Sequence, residues 1–336
     1  MRRVFSLLCA LALALSLAGC GAPQAEAADD GRLRVVTTLF PYYDLARAVA
    51  GDCADVTLLV PAGREVHSFE PTPLDAITIS RADVFIYNGG EGEVWAEEML
   101  EAVGADIGTA LRMMDFVAAR EEEFAEGMQG AHDHAHEHEG HDDHDEHDAH
   151  DEHDAHDSDA VEYDEHIWTS PVNAAVLCRA IADALCEADA ANAALYRENC
   201  EDYCAQLDAL DAEFRALRAE AVRTTLVLAD RFPLLYFCRE YDLDYRAAFH
   251  GCSTDTEPSL ATLKYLIDKV NAEGIPVIYT VDLSSEKIAE VISECTGARV
   301  ARLWSGQTVS RADLDAGVTY LTLMERNLDE LKGGLL

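Results

Sequence analysis

The chain has 336 residues, is 49% hydrophobic and carries a formal net charge of -39. Its length exceeds one average domain and predicts two, and its apolar content suffices for real cores. The charge excludes nucleic acid as a partner, because phosphates would be repelled, and favours cationic ligands.

Residues 1–20 read as a signal peptide of the lipoprotein type. Arg2 and Arg3 form a basic start, residues 4–17 form an apolar stretch too short for a stable membrane span, and Leu17-Ala18-Gly19-Cys20 matches a bacterial lipobox. The expectation is cleavage before Cys20, a lipid on its sulfur, and an extracytoplasmic protein anchored to the bacterial cell membrane; the alternative is plain secretion with a free Cys20. Residues 21–31 lack large apolar side chains and read as a tether. Downstream lie Cys53, Cys178, Cys186, Cys200, Cys204, Cys238, Cys252 and Cys295, and an exported chain can form disulfides. No Cys-x-x-Cys pair occurs, so no thiolate zinc motif is present. Cys200 and Cys204 share a helix face, either buried or bonded.

Residues 33–39 are a β-branched run and predict a buried strand, followed by a helix over 41–51 that ends at glycine. A second strand over 56–60 leads into the proline-rich loop 61–73, which carries His67. A helix over 73–80, a strand over 84–87 closed by Asn88-Gly89-Gly90, and a helix over 93–103 follow. Such alternation predicts a parallel sheet with helices on both faces, and ligands collect at the carboxyl ends of its strands. His67 falls there.

Residues 131–160 break the pattern. His132, His134, His136, His138, His141, His144, His147, His150, His153 and His156 recur every second or third residue, with acids between them. The run has almost nothing apolar to bury, and ordering it would cost roughly 1–2 kcal/mol per residue, so it is expected to stay disordered. It offers imidazoles and carboxylates to zinc, copper, nickel or iron; otherwise it is a solvated spacer. The segment 163–171 then reads as folded and sets His166 beside Trp168.

A helix over 172–188 follows, and Asp189 can cap the next one. That helix carries Tyr196, Cys200, Tyr203, Leu207, Leu210, Phe214 and Leu217 in one stripe, over about 30 residues and some 45 Å. The stripe fits either a coiled-coil partner or packing along a two-lobed protein. Alternation then restarts. A strand over 224–229 ends at Asp230, a helix covers 233–241, and a strand over 245–249 ends at His250. A helix over 259–273 leads to a strand over 276–280, with Asp282 just beyond. The chain closes with a helix over 284–296, a strand over 300–303 and a helix over 314–335. The predicted fold is α/β: two lobes of parallel sheet flanked by helices, 32–188 and 222–336, joined by one long rigid helix in 189–221. His67, His166, Asp230 and Asp282 all follow strands, two per lobe. Cys252 and Cys295 lie near strand ends of the second lobe, which motivates a disulfide hypothesis.

Several segments together are specific: Thr37-Thr38-Leu39-Phe40-Pro41, His67-Ser68-Phe69-Glu70-Pro71-Thr72-Pro73, the histidine insertion, Asp164-Glu165-His166-Ile167-Trp168-Thr169-Ser170-Pro171, and Asp282-Leu283-Ser284-Ser285 ahead of Thr296-Gly297-Ala298. In these the chain resembles, over roughly residues 31–336, the metal-binding subunits of bacterial ABC transporters for zinc and manganese. The resemblance implies a monomer that holds one metal between its lobes through four side chains and docks on a membrane permease. The first two ligands map onto His67 and His166. The third, usually histidine or glutamate, falls in Leu228-Ala229-Asp230-Arg231-Phe232-Pro233, where Asp230 or a neighbour is the candidate. The fourth, usually an acid, maps onto Asp282, with His250 as a substitute. The histidine insertion is typical of the zinc branch.

Each assignment has a plainer alternative. Asp230 can simply pair with Arg231, Asp282 can cap a helix, and His250 can be a surface loop residue. Glu70 is expected to accept backbone hydrogen bonds, and Glu165 to point away or cap. Two imidazoles favour zinc over manganese, whereas carboxylates from the second lobe weaken that preference. Capture needs neutral histidine and is expected to fail below about pH 6.5. The run would raise the local zinc supply through many weak sites. Alternatives are a manganese or iron subunit of the same family, a surface metal buffer or adhesin, and a zinc hydrolase. A hydrolase needs an open coordination position and a base, and neither His-Glu-x-x-His nor Gly-x-Ser-x-Gly occurs.

Overall fold

The computed structural model describes residues 31–104, 107–128, 162–253 and 257–336. Cys20, most of the tether and the histidine run from His132 to His156 lie outside them. β1 (Leu33–Thr37), β2 (Ala54–Leu58), β3 (Val84–Tyr87) and β4 (Thr109–Arg112) form the first sheet, all parallel, in the order β2-β1-β3-β4. β3 is buried along its whole length, as a strand covered on both faces must be. α1 (Phe40–Ala50), α2 (Pro73–Ser80) and α3 (Val94–Val103) are the connecting helices.

Two long helices follow. α4 (Pro171–Ala188) starts on Ser170, whose hydroxyl accepts from Asn173 N, and α5 (Ala193–Glu220) runs for 28 residues, about 42 Å. The turn between them is closed by Asp189, which accepts from Asn192 Nδ2 at 2.7 Å and Tyr196 OH at 2.8 Å. The predicted stripe on α5 is buried throughout. Its first half meets the first lobe, where Tyr203 OH donates to Asp44 of α1 at 2.8 Å and Asn199 Nδ2 to Val49 O at 2.9 Å. The stripe is used up within the chain, which removes the coiled-coil alternative.

β5 (Thr225–Phe232), β6 (Asp244–His250), β7 (Val277–Val281) and β8 (Arg299–Leu303) form the second parallel sheet, in the matching order β6-β5-β7-β8. It is flanked by α6 (Leu235–Glu240), α7 (Leu260–Glu273) and α8 (Lys287–Thr296). The second half of α5 packs here, with Phe214 edge-on to Phe237 of α6 at 4.9 Å. In both sheets the order reverses beside the first strand, and the carboxyl ends at that reversal form a natural crevice.

Four differences from expectation stand out. β4 is a short edge strand with little buried surface, so it lacks the apolar run that marks its neighbours. β5 continues past Asp230 to Phe232 through a register shift between Leu228 and Arg231. The closing helix is two helices, α9 (Arg311–Asp315) and α10 (Tyr320–Leu335), because Gly317 turns the chain at φ +73° and Thr319 caps a new start. Cys252 and Cys295 are not bridged: Cys252 is half-buried after β6, and Cys295 is an exposed free thiol on α8. Among the described residues, no helix is long and apolar enough to cross a membrane.

Candidate metal site between the lobes

His67 sits in the loop between β2 and α2. The loop is held by buried Val66, by Phe69 edge-on to Trp95 at 5.0 Å, and by the Thr72–Asp75 capping box at the start of α2. Glu70 is exposed, so the anchoring expected of it falls to these neighbours. Gln307, from the loop after β8, brings Nε2 to 3.4 Å from His67 Nε2. The next residue, Thr308, accepts from Gly63 N at 3.3 Å.

His166 is 1% exposed and fixed from behind. Asp164 Oδ1 accepts from His166 N at 2.8 Å and lies 3.2 Å from Nδ1, and Thr169 Oγ1 donates to His166 O at 2.8 Å. With Nδ1 engaged by a carboxylate, Nε2 is the ring nitrogen left for a ligand. Trp168 packs as core 5.6 Å from the imidazole. The His67 and His166 ring centroids stand 6.1 Å apart.

The second lobe contributes Asp282, which follows β7. Leu283 takes φ +61°, a costly conformation for a branched side chain, and the turn it makes lies directly beside Asp282. Asp282 Oδ1 accepts from Ser305 N at 2.5 Å and Oδ2 from Ser305 Oγ at 3.3 Å. Trp168 Nε1 donates to Ser305 O at 2.8 Å, so one residue links the indole next to His166 with the carboxylate of Asp282. His67, His166 and Asp282 line one cavity, together with Glu65, Arg231 and Gln307.

Two other candidates are placed elsewhere. The Asp230 carboxylate accepts from Arg231 N at 2.8 Å and Val281 N at 3.4 Å, and it faces a separate cleft with Phe249 and Leu263. Its neighbour Arg231 enters the cavity instead and pairs with Glu65 at 3.0 Å. His250 pairs through Nδ1 with Glu122 at 3.0 Å and lines a second cleft that His67 also lines. Glu165 does not point away: it is 6% exposed, accepts from Gly92 N at 2.8 Å, and lies with His67 and Cys252 so that one ligand atom of each is within 4.8 Å of the others. Asp164, Ser305 and Gln307 carried no prediction. An acid two residues before a histidine is a usable signal for Asp164; Ser305 and Gln307 reach the site only through tertiary structure.

The family described as ZnuA, zinc-uptake complex component A, periplasmic, matches residues 35–334. The chain belongs to this family. It is 30% identical over 328 residues to the high-affinity zinc uptake system protein ZnuA of Bacillus subtilis (strain 168), covering 96% of this chain and 94% of that protein. It is 31% identical to the zinc-binding lipoprotein AdcA of Streptococcus pneumoniae serotype 4, covering 97% of this chain and 60% of that longer one. Among solved structures it is similar to the metal-dependent lipoprotein YcdH of Bacillus subtilis, with TM-score 0.72 and 28% identity over 91% of this chain and all of that one. The Zn(II)-bound ZnuA-like domain of Streptococcus pneumoniae AdcA gives TM-score 0.69 and 26% identity over 91% and 99%.

The electrostatics of this ZnuA-family cavity separate its two imidazoles. Burial, then the charge of His166, pushes the His67 pKa down to about 4. At His166 burial opposes the charged form, but the charge and hydrogen bond of Asp164 prevail and the pKa is raised. Burial pushes Asp282 up to about 6 against the bonds from Ser305. Two imidazoles and a carboxylate around one cavity suit a borderline-soft divalent cation. The chain is accordingly a binding component of an uptake complex and not an enzyme.

Proposed function

We propose that the chain is the extracytoplasmic subunit of an ABC importer that captures zinc between its lobes and delivers it to a membrane permease. The observation that carries this is the convergence of His67 and His166 from the first lobe with Asp282 from the second on one cavity at the carboxyl ends of both sheets. We assign these three as ligands. Two imidazoles at about 2.1 Å from a tetrahedral metal would set their ring centroids about 5.3 Å apart, so the 6.1 Å separation asks for less than an ångström of closure. Asp230 is assigned a supporting role, since it lines a separate cleft rather than the cavity that His67, His166 and Asp282 share; water takes the fourth place. His250 holds Glu122 and is not a ligand in this reading. Two imidazoles favour zinc over manganese, and the relatives named for zinc agree. The ten histidines from His132 to His156 serve as an auxiliary collector, Cys20 carries the lipid anchor, and the protein acts as a monomer.

The test is growth of a strain lacking this chain under zinc limitation. The native chain should restore growth and zinc accumulation, and His67→Ala or His166→Ala should not. Equal growth with and without the chain would exclude uptake and favour a surface buffer or adhesin.

A further inference from the structure

Three thiols meet where α4 packs on α5, well away from the cavity between the lobes. Cys178 comes from α4; Cys200 and Cys204 are one turn apart on α5. Sγ of Cys178 is 3.8 Å from Sγ of Cys200, which is 3.9 Å from Sγ of Cys204, and all three sulfurs lie within 4.8 Å of one another. They are 0%, 6% and 4% exposed. A surface cleft reaches Cys200 and Cys204, with Arg179, Arg197, Asp183 and Glu201 around it.

We propose that Cys178, Cys200 and Cys204 form a second metal site, a three-thiolate cage for a thiophilic d10 cation such as zinc or cadmium. The Cys178–Cys200 and Cys200–Cys204 separations match a thiolate shell, and Cys178 and Cys204 lie within 4.8 Å of each other. With metal–sulfur bonds of about 2.3 Å, sulfurs stand about 3.8 Å apart in a tetrahedral shell and about 4.0 Å apart in a trigonal plane. A disulfide needs about 2.05 Å, so any pair would have to close by well over an ångström. Three cysteines placed i, i+4 and across a helix interface present their sulfurs to a single point, which packing of small apolar side chains does not require. Charge also fits: three thiolates around a divalent cation leave one net negative charge, and Arg179 and Arg197 at the rim offset it. The cleft gives the ion a route in, and water can complete the fourth position.

The test uses the reduced chain from residue 21 onward, loaded with zinc and then titrated with Cd2+. One equivalent of cadmium should produce sulfur-to-metal charge-transfer absorption in the ultraviolet, which histidine and carboxylate sites do not give. The band should persist in His67→Ala and vanish in Cys178→Ser, Cys200→Ser and Cys204→Ser, while those variants keep zinc at the lobe interface as proof of folding. Should the serine variants fail to fold, the 113Cd resonance of the unaltered chain reads the same point, a thiolate-rich signal supporting the cage. A missing band and resonance, a band surviving in the triple serine variant, or a Cys178–Cys200 disulfide found by thiol counting and mass spectrometry of the native chain would each overturn the proposal.

Discussion

At His166 the carboxylate of Asp164 raises the pKa above its ordinary value, whereas burial and the charge of His166 take His67 down to about 4. Zinc takes neutral imidazole and ionised carboxylate, so protons compete for each ligand at its own pH. As pH falls, His166 is protonated first, from above 6.5; Asp282 follows near 6; His67 stays neutral until about 4. Zinc affinity is therefore expected to decline from above pH 6.5, with about one proton taken up per zinc released and then about two below pH 6. Competitive titrations at pH 8, 7, 6 and 5 check this, and an affinity flat down to pH 5 would contradict it. Asp282 and Asp230 separate proposed ligand from support. Asp282→Asn should weaken zinc at least tenfold. Asp230→Asn should leave affinity within a few-fold and cost about 1–3 kcal/mol in urea unfolding, because it unbalances buried backbone partners. The placement of His67 and His166 at the cavity was legible because a histidine after a strand in a stiff or acid-flanked segment has a recognisable surrounding sequence. The placement of Asp230 beside a separate cleft was not, because the register shift between Leu228 and Arg231 affects which side chain meets the cavity, and no composition or period in that stretch marks such a shift.

Among the elements, α5 carries the junction of the two lobes. Leu207 is 1% exposed at its middle, and Leu207→Ala should cost about 2–5 kcal/mol, read as a lower urea midpoint. A loss below about 0.5 kcal/mol would mean that the helix interior is not a packed core. Trp168 acts on a smaller scale. Trp168→Phe removes the bond to Ser305 O, and the partner oxygen loses its donor, so a cost of about 1–3 kcal/mol is expected together with a few-fold loss of zinc through Asp282. The stripe on α5 and the strand–helix alternation were readable because burial imposes a period on the sequence. β4 was missed because a short edge strand buries too little to leave one. The break between α9 and α10 rests on Gly317 and Thr319, whose turn and cap act locally inside a pattern that otherwise continues.

Across the whole molecule the lobes are tied by ionic contacts on both sides of the cavity. Arg231 meets Glu65 at 3.0 Å, and the segment before the histidine run reaches the second lobe through Glu122 with His250, Glu123 with Arg239, and Glu126 with Arg246. None of these pairings follows from sequence, since each joins residues that only the folded arrangement of the lobes brings together. The formal net charge of -39 should draw cations toward the cavity, so the zinc association rate is expected to fall as salt rises from 0.05 to 0.5 M. Stopped-flow mixing with a fluorescent chelator measures that rate, and a salt-independent value would remove steering from the account. The central claim is that the folded lobes, not the histidine run, hold the specific metal. The most direct measurement is a competitive zinc and manganese titration of a soluble form lacking residues 1–30 and 131–158, beside its His166→Ala variant. One tight zinc that outcompetes manganese, lost in the variant, is the predicted result. No tight site, or one indifferent to His166, would contradict it.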